Sequence, residues 1–362
     1  MKQNVTFSIG NLALIDKVDA QTNFFKKVFA GVGGKAKTFV PCVKFLMYNK
    51  LGSCTSINRV NDFLTRELST LLGFSKQPNN KQFYRAVDRL GERHSFVLEN
   101  YQRLIRGLGL VDNTQFVDFS SSYFEGVKSP LGELGYSRDG QPGKQQLTFG
   151  ISVGLNNVPA ALTIQKGNVV DKKHMRYMVR LSSKILPELA LLIFDCGGNT
   201  RKIKQQILDL RLNYLTLKAK HTGAYAPLLK VFHESEKQAI ESNGTTYSCV
   251  KITSEQETSY VFFSQKLCDD QLRKKAKKFA KALENGSKLL KKVRGHKPLS
   301  TNVCPEGWIV AEGRLQTSLE LQNPFVTGLE GYFILESSLN LKAENILWLY
   351  KNRCDYEYFG LF

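Results

Sequence analysis

The sequence predicts an α/β fold that has a helical N-terminal region and a later insertion rich in strands. Three observations predict it. The first 110 residues mainly show apolar residues three and four positions apart, the spacing typical of helices. After Gly109 the alternation changes to period two, which is typical of strands with one buried face. A wholly apolar run, residues 189–194, then has the composition of a strand buried on both faces.

The N-terminal region, residues 1–110, is expected to be mostly helical after a less regular start. Residues 57–72 and 83–110 each keep their apolar side chains on one face. Gly107 and Gly109 are expected to end the second segment, because glycine frees the backbone for a helix stop. DNA binding and plain packing are equally open roles for the arginines of this region, which are Arg59, Arg66, Arg85, Arg89 and Arg93.

Residues 111–200 are expected to form the first part of a mixed core. Three strand-like segments separated by Gly, Pro and Asn turns come first, at residues 115–121, 147–155 and 160–165. A helix over residues 171–186 and the buried strand at 189–194 follow. Three hairpin-linked strands, a helix and a central strand are the order of a ribonuclease H-like core.

Residues 201–335 are expected to be a strand-rich insertion around one basic helix. After a helix at 201–210, its strands are expected at 212–218, 247–252, 260–264, 308–311 and 332–335. Between Arg273 and Lys297 there are eleven basic residues and a single acid, a net charge of +10. Residues 336–362 then return to a helix that completes the core.

Composition favours a polyanionic partner and excludes a membrane-spanning protein. Lys and Arg number 51 against 32 Asp and Glu, a net charge of +19. The longest apolar run has six residues, whereas a membrane span needs about 20. No signal-peptide core is present near the start. The seven cysteines form no Cys-x-x-Cys pair and are interpreted as reduced thiols, which indicates a cytoplasmic protein.

Two aspartates stand at positions where a carboxylate is costly unless it is paired or metal-bound. Asp118 interrupts an apolar strand, and Asp195 ends the buried run. Asp118 as a solvated edge acid and Asp195 as a turn or helix cap remain open alternatives. If the two strands are neighbours, both acids converge at one sheet edge, where a divalent cation would relieve their repulsion.

The C-terminal helix places three functional groups on one side. Tyr350, Arg353 and Glu357 occupy positions i, i+3 and i+7, which span about 60° of the helix circumference. A phenol, a guanidinium and a carboxylate on one face suit a phosphate held beside a metal. An ordinary i, i+4 ion pair between Arg353 and Glu357 is the alternative.

On these residues the sequence resembles the DDE transposases of the insertion-sequence-four type. The two Asp segments are VDFSS at 117–121 and IFDCG at 193–197, and the third signature is Tyr350-x2-Arg353-x3-Glu357. Further matching elements are GYSRDGQP at 135–142 with Gln145 or Gln146, Asn157-Val158-Pro159, and Gly167-Asn168 with Asp171. The resemblance covers the chain from about Phe83 to its end.

The resemblance implies a DNA transposase that cleaves and transfers strands at terminal inverted repeats. Asp118, Asp195 and Glu357 would be the catalytic residues and the ligands of two Mg²⁺ or Mn²⁺ ions. Arg353 would hold a phosphate and Tyr350 the DNA backbone. The partners implied are the double-stranded DNA of transposon ends and target, and a second copy in a synaptic dimer. The implied location is a prokaryotic cytoplasm, at the nucleoid.

Two departures from the family pattern qualify the expectation. The signature continues to a lysine that would come two residues after Phe362, and Cys196 stands where many relatives have Arg. The chain is therefore expected to be a truncated copy or a fragment. A catalytically inactive DNA-binding protein and a nuclease of the same fold are the alternative functions.

The remaining expectations concern single side chains. Trp308 is expected in the core, with stacking on a flipped base as the alternative. His174 is expected on a helix surface. The lysines expected to contact DNA are Lys274, Lys275, Lys277, Lys278, Lys291 and Lys292.

Overall fold

A computed structural model of the chain describes residues 9–33, 37–52, 54–126, 129–136, 140–284, 308–311, 314–317, 323 and 325–357. The chain divides into two compact units. The first is formed by residues up to 112 together with 153–162 and 184–186, and the second by the rest.

The described part of the first unit is helical from Gly10 onward, where the sequence predicts a less regular start. Its elements are α1 (Gly10–Thr22), α2 (Phe24–Val28), α3 (Phe39–Leu51), a 3₁₀ turn (Ile57–Arg59), α4 (Val60–Phe63), α5 (Arg66–Leu71), α6 (Asn80–Glu92) and α7 (His94–Gly107). Helices α1 to α3 form because they enclose a common apolar core, in which Leu12, Phe25 and Phe45 are buried. Tertiary packing of this kind overrides a weak local pattern.

Helices α6 and α7 replace the single helix expected over residues 83–110. The break lies at Arg93, whose φ of −109° and ψ of 16° depart from helical values. Helix α6 begins with a capping box, in which the Asn79 side chain and the Gln82 side chain each bond the other's backbone NH. Its apolar face buries Phe83, whose ring packs against Phe45 and Phe74.

The second unit is built on a large mixed sheet. Its strands in chain order are β1 (Thr114–Tyr123), β2 (Glu133–Leu134), β3 (Gln145–Gly154), β4 (Pro159–Lys166), β5 (Leu191–Phe194), β6 (Asn213–Leu217), β7 (Gln238–Ser242), β8 (Thr245–Thr253), β9 (Thr258–Phe263), β10 (Trp308–Ala311), β11 (Arg314–Thr317) and β12 (Tyr332–Ser337). Strands β10 and β11 pair only with each other among the described strands. The helices are α8 (Asp171–Ser182), α9 (Arg201–Asp209), α10 (Thr222–Glu234), α11 (Gln265–Glu284) and α12 (Ala343–Glu357).

The first five long strands have a ribonuclease H-like order. They lie as β4-β3-β1-β5-β6, and β1, β5 and β6 are parallel to one another. Helix α8 leads into β5, and α9 connects β5 to β6, as parallel neighbours require a crossover. Strand β5 is buried at all four positions, as its wholly apolar sequence predicts. The predicted α/β fold class is confirmed.

The strands that follow β6 extend the same sheet. Strand β12 runs antiparallel to both β6 and β9, and β9, β8 and β7 continue as an antiparallel meander. The chain therefore leaves the parallel part after β6 and returns beside it at β12. Helix α12 then packs on β1, β5, β6 and β7.

Candidate active site

The two predicted aspartates lie on neighbouring parallel strands, Asp118 in the middle of β1 and Asp195 directly after the last residue of β5. Thr114 pairs with Leu191 and Phe116 with Ile193. Continued two residues past the last of these pairs, the same register would place Asp118 beside Asp195. Strands that pair in this way are about 4.8 Å apart.

The alternation of side chains along a strand indicates which face of the sheet the two aspartates occupy, and it is the face away from α8. The Phe119 ring lies 4.7 Å from that of His174 on α8, measured between centroids. A Cβ at Gly198 would lie 2.9 Å from the Phe194 ring and 3.3 Å from Met175 of α8. The Phe194 side chain therefore lies on the face of the sheet that α8 covers. Because side chains alternate along a strand, position 118 belongs to the opposite side, and position 195 would fall there too if the alternation continues one residue past the end of β5. Asp118 is partly exposed between two buried neighbours, and Asp195 is partly exposed directly after the buried Phe194.

Asp195 is held by its own turn and by the next strand. Its Oδ1 accepts a hydrogen bond from the Gly197 NH at 2.9 Å. Its carbonyl oxygen accepts one from the Thr216 Oγ1 on β6 at 3.1 Å. The turn-capping role that the sequence left open is therefore present, and it fixes the carboxylate at the end of the strand.

A further carboxylate at this site, Asp171, was not among the predicted site residues. It lies in the first turn of α8. A Cβ at Gly197 would be 2.9 Å from Asp171 Oδ2 and 3.0 Å from Asp195 Oδ1, so both carboxylates border the space that glycine leaves open. The available signal was the Gly167-Asn168 element that ends at Asp171, which was interpreted only as a turn before a helix.

The C-terminal signature lies on a helix that reaches the same part of the sheet. The backbone of α12 includes Arg353 and Glu357, and the helix packs on both β1 and β5. Tyr350 is half-buried. The side chains of Arg353 and Glu357 lie outside the described residues, so their part in the site stays a prediction.

The chemistry of the donors suits a hard divalent cation. Asp118 and Asp195 offer only carboxylate oxygens, the ligands that Mg²⁺ and Mn²⁺ prefer. Within the described residues, no set of three or more His, Cys, Asp or Glu side chains is already arranged around one metal position. The two-ion assignment therefore remains a prediction that depends on Glu357.

The basic helix α11 exposes some of the lysines that are predicted to contact DNA, whereas another of them forms an ion pair within the protein. Lys274 and Lys277 are exposed. The Lys278 ammonium lies 4.3 Å from the centroid of the Phe325 ring. Lys275 instead forms an ion pair with the buried Glu330. Lys291 and Lys292 lie outside the described residues, as does the side chain of Trp308 on β10.

The pair formed by Lys275 and Glu330 is a buried charge interaction. Burial by itself raises the pKa of Glu330, but hydrogen bonds from Lys275 and from the NH and OH of Thr327 outweigh it and lower the pKa to about 2. Glu330 is therefore ionised in the folded protein and holds α11 against the segment before β12.

His174 is fully buried, so the expected position on a helix surface is wrong. Its ring lies against Phe119, and its Nε2 is 2.7 Å from Thr163 Oγ1. A polar partner inside the protein lets an imidazole occupy the core side of a helix.

None of the described helices is both long and apolar enough to cross a membrane.

Comparison with protein families and with curated proteins finds no match. Among solved structures, a piggyBac transposase synaptic complex with hairpin DNA is similar over 76% of this chain and 48% of that one, at 9% identity and a TM-score of 0.39. A Mos1 transposase paired-end complex with its left transposon end covers 59% of this chain and 60% of that one, at 8% identity and a TM-score of 0.21. This chain thus spans about half the length of the first and three fifths of the second. Similarity of this size establishes neither family nor activity.

Proposed function

We propose that the protein is a DDE-type DNA transposase that cleaves and joins strands at the terminal inverted repeats of an insertion sequence. One observation carries the proposal: β1 and β5 are parallel neighbours in a sheet of ribonuclease H-like order, and their register, continued past its last paired residues, brings Asp118 of β1 beside Asp195, which directly follows β5. Two like charges at this position favour the binding of a divalent cation between them.

Glu357, on α12, would be the third metal ligand beside Asp118 and Asp195. Ala343, Ile346 and Leu347 are buried in the part of this helix whose side chains the structure describes, residues 343–352. Position 357 follows Ala343 by close to four helical turns of about 3.6 residues, so it returns to the same side of the helix. This periodicity, together with the packing of α12 on β1 and β5, supports Glu357 as the third ligand.

Asp118, Asp195 and Glu357 would hold two Mg²⁺ or Mn²⁺ ions. Metal ions held by these carboxylates would supply activation of a water or 3′-hydroxyl nucleophile and neutralisation of charge on the phosphate. The Gly197 NH and Thr216 fix the position of Asp195 before substrate arrives, which lowers the cost of ordering the site. Arg353 would grip the phosphate beside the scissile bond, and Tyr350 would contact the adjacent DNA backbone.

The charge of the chain supports DNA as the partner. The net charge of +19 favours a polyanion, and Lys274 and Lys277 stand exposed on α11. We assign these lysines, and Lys278 with them, to the DNA backbone. The arginines of the helical unit are a second candidate contact, and pairing of two DNA ends would use a homodimer.

The experiment is a nicking assay on a supercoiled plasmid that carries the DNA flanking the gene, with Mg²⁺ or Mn²⁺. The wild-type protein should leave 3′-hydroxyl nicks at repeated ends and should lose this activity in EDTA. Asp118→Asn and Asp195→Asn should each reduce nicking by at least about a thousandfold, because each removes a ligand charge. Asp209→Asn, on the exposed end of α9, is the matched control and should nick normally.

Each alternative outcome has a distinct meaning. Salt-dependent DNA binding without nicking would show a DNA-binding protein that lacks catalysis. Nicking without preference for the repeated ends would show a nuclease. Metal-dependent nicking by Asp118→Asn would remove this residue from the site and contradict the proposal.

A further inference from the structure

A buried polar cluster lies beside the turn that carries Asp195. Its centre is Glu336 on β12, which is 1% exposed and pairs with Thr216 on β6. Glu336 Oε2 accepts hydrogen bonds from Asn199 Nδ2 and from Lys204 Nζ, both at 2.7 Å, and Lys218 bonds the other oxygen. A buried carboxylate with three donors has a single well-defined geometry.

The turn from Asp195 to Thr200 is tied to this cluster at its far end. The Asn199 NH bonds the Cys196 carbonyl at 3.2 Å and closes the turn. Asn199 Nδ2 also reaches the Leu217 carbonyl at 3.0 Å, besides Glu336. Thr200 then caps α9 through the Ile203 NH at 3.2 Å. The near end of the turn is held by Thr216, which is the β6 partner of Glu336.

The carboxylate of Glu336 is charged in the folded protein. Burial alone raises the pKa of Glu336, but the charge of Lys204 and the hydrogen bonds from Asn199, Lys204 and Lys218 lower it further than burial raises it. An ionised acceptor makes stronger bonds to amide and ammonium donors than a neutral one does.

We infer that Glu336 is a positioning residue for Asp195, acting through Asn199. Strand β12 comes from beyond the insertion, so this carboxylate links the returning strand to the turn that presents the candidate metal ligand. The inference rests on the proposed function for its catalytic consequence, but its structural content, a turn held by Glu336, is independent of that function. Loss of the Glu336 charge should loosen residues 196–199 and let the Asp195 carboxylate move.

Glu330 provides a matched control within the same part of the chain. It too is a buried glutamate with a lysine partner, and its bonds go to Lys275 and Thr327. Glu330→Gln therefore removes a buried charge of the same type without touching the Asp195 turn. Asn199→Ala is the second test variant, because it cuts the link to the turn and leaves the pairs of Glu336 with Lys204 and Lys218 in place.

The first measurement is amide hydrogen exchange of the full chain, followed at Gly197 and Asn199. Both amides donate within the turn, to Asp195 Oδ1 and the Cys196 carbonyl. Because amides in a turn exchange through local opening at a free energy below that of global unfolding, exchange should become about tenfold faster in Glu336→Gln and Asn199→Ala and stay unchanged in Glu330→Gln, although that variant lowers global stability. The second is the Mg²⁺ concentration for half-maximal nicking, which should rise about tenfold in the same two variants only.

Two results would overturn the inference. One is unchanged exchange at both amides in Asn199→Ala, the variant that keeps the buried ion pairs. The other is an equal rise of exchange in Glu330→Gln, which would show that the two amides follow global stability and not the link through Asn199. If even the wild-type protein does not nick DNA, the proposed function fails, and the exchange data still decide whether Glu336 holds the turn.

Discussion

Gly197 is the position in the candidate site that least tolerates a side chain. Any Cβ there would stand 2.9 Å from Asp171 and 3.0 Å from Asp195, closer than carbon and oxygen atoms normally approach. The Gly197 NH meanwhile orients Asp195. The same residue thus gives two carboxylates room to border one space and fixes one of them. Convergence of charges in this way is characteristic of sites that bind cations.

The buried Glu330 gives a prediction about stability and pH. Its ordinary pKa is near 4.5, and the folded value is about 2, so its contribution is complete above pH 4.5 and is lost as the pH falls towards 2. Glu330→Gln should reduce the free energy of unfolding by about 2 to 3 kcal/mol at pH 7. The difference from wild type should shrink between pH 4.5 and pH 2.5. Urea denaturation at a series of pH values measures it.

The control for this pH dependence is Glu188, an exposed acid paired with Arg211. Glu188→Gln should change the unfolding free energy by less than about 1 kcal/mol at every pH, because solvent screens an exposed pair. If the Glu330→Gln difference were the same at pH 7 and at pH 2.5, the ion pair with Lys275 would not be the source of the stability.

A sequence singles out a residue that breaks a pattern, but it does not reveal a residue whose role depends only on which parts of the fold lie close together. Asp118 and Asp195 stand out because each interrupts or ends an apolar run. Asp171 opens an ordinary amphipathic helix, and nothing in the spacing says that this helix begins beside the end of β5. His174 was misplaced for a related reason, since its core position depends on a partner, Thr163, from a neighbouring strand.

Helix α11 gives a prediction at the level of an element, because its lysines divide into two kinds. Lys274 and Lys277 are exposed, whereas Lys275 is paired with Glu330. Replacing both exposed lysines by Gln should lower the slope of log affinity for DNA against log salt by about 1.8, since each phosphate contact contributes about 0.9. Lys275→Gln should leave the slope unchanged and destabilise the fold. Fluorescence anisotropy with labelled duplex, over a range of salt concentrations, measures the slopes.

The comparison between these variants separates DNA binding from structure. An unchanged slope in the Lys274 and Lys277 double variant would remove α11 from the DNA interface. A lower slope in Lys275→Gln, together with normal stability, would show that this lysine leaves Glu330 to bind DNA.

Elements with strong periodicity were predictable, and elements defined by tertiary pairing were not. Strands β5, β8 and β9 match predicted segments because their apolar sequences are distinctive. Strand β7 was not predicted, since its sequence QAIES has little apolar character and it forms by pairing with β8. The break between α6 and α7 was missed because apolar spacing continues across Arg93.

At the scale of the whole molecule, topology decides which distant residues meet. The sequence order of strands and helices predicted a ribonuclease H-like core, and the neighbour relation of β1 and β5 was a condition that only the structure could supply. Strand β12 adds a link that order alone does not reveal, because the chain returns to β6 after more than a hundred residues. The parallel strands, the returning strand β12 and helix α12 therefore depend on one another for stability and are expected to fold together.

This coupling predicts that a divalent cation stabilises the whole molecule. An ion that binds the folded site and not the unfolded chain adds about 2.7 kcal/mol at a concentration a hundredfold above its dissociation constant. Thermal unfolding with and without Mg²⁺ should therefore show a higher midpoint for wild type and for Asp209→Asn when Mg²⁺ is present. Asp118→Asn and Asp195→Asn should not respond to Mg²⁺, and without metal each should unfold at or above the wild-type temperature, because carboxylate repulsion is relieved. Mg²⁺ stabilisation of equal size in all four proteins would place the cation elsewhere and contradict the assignment of these two ligands.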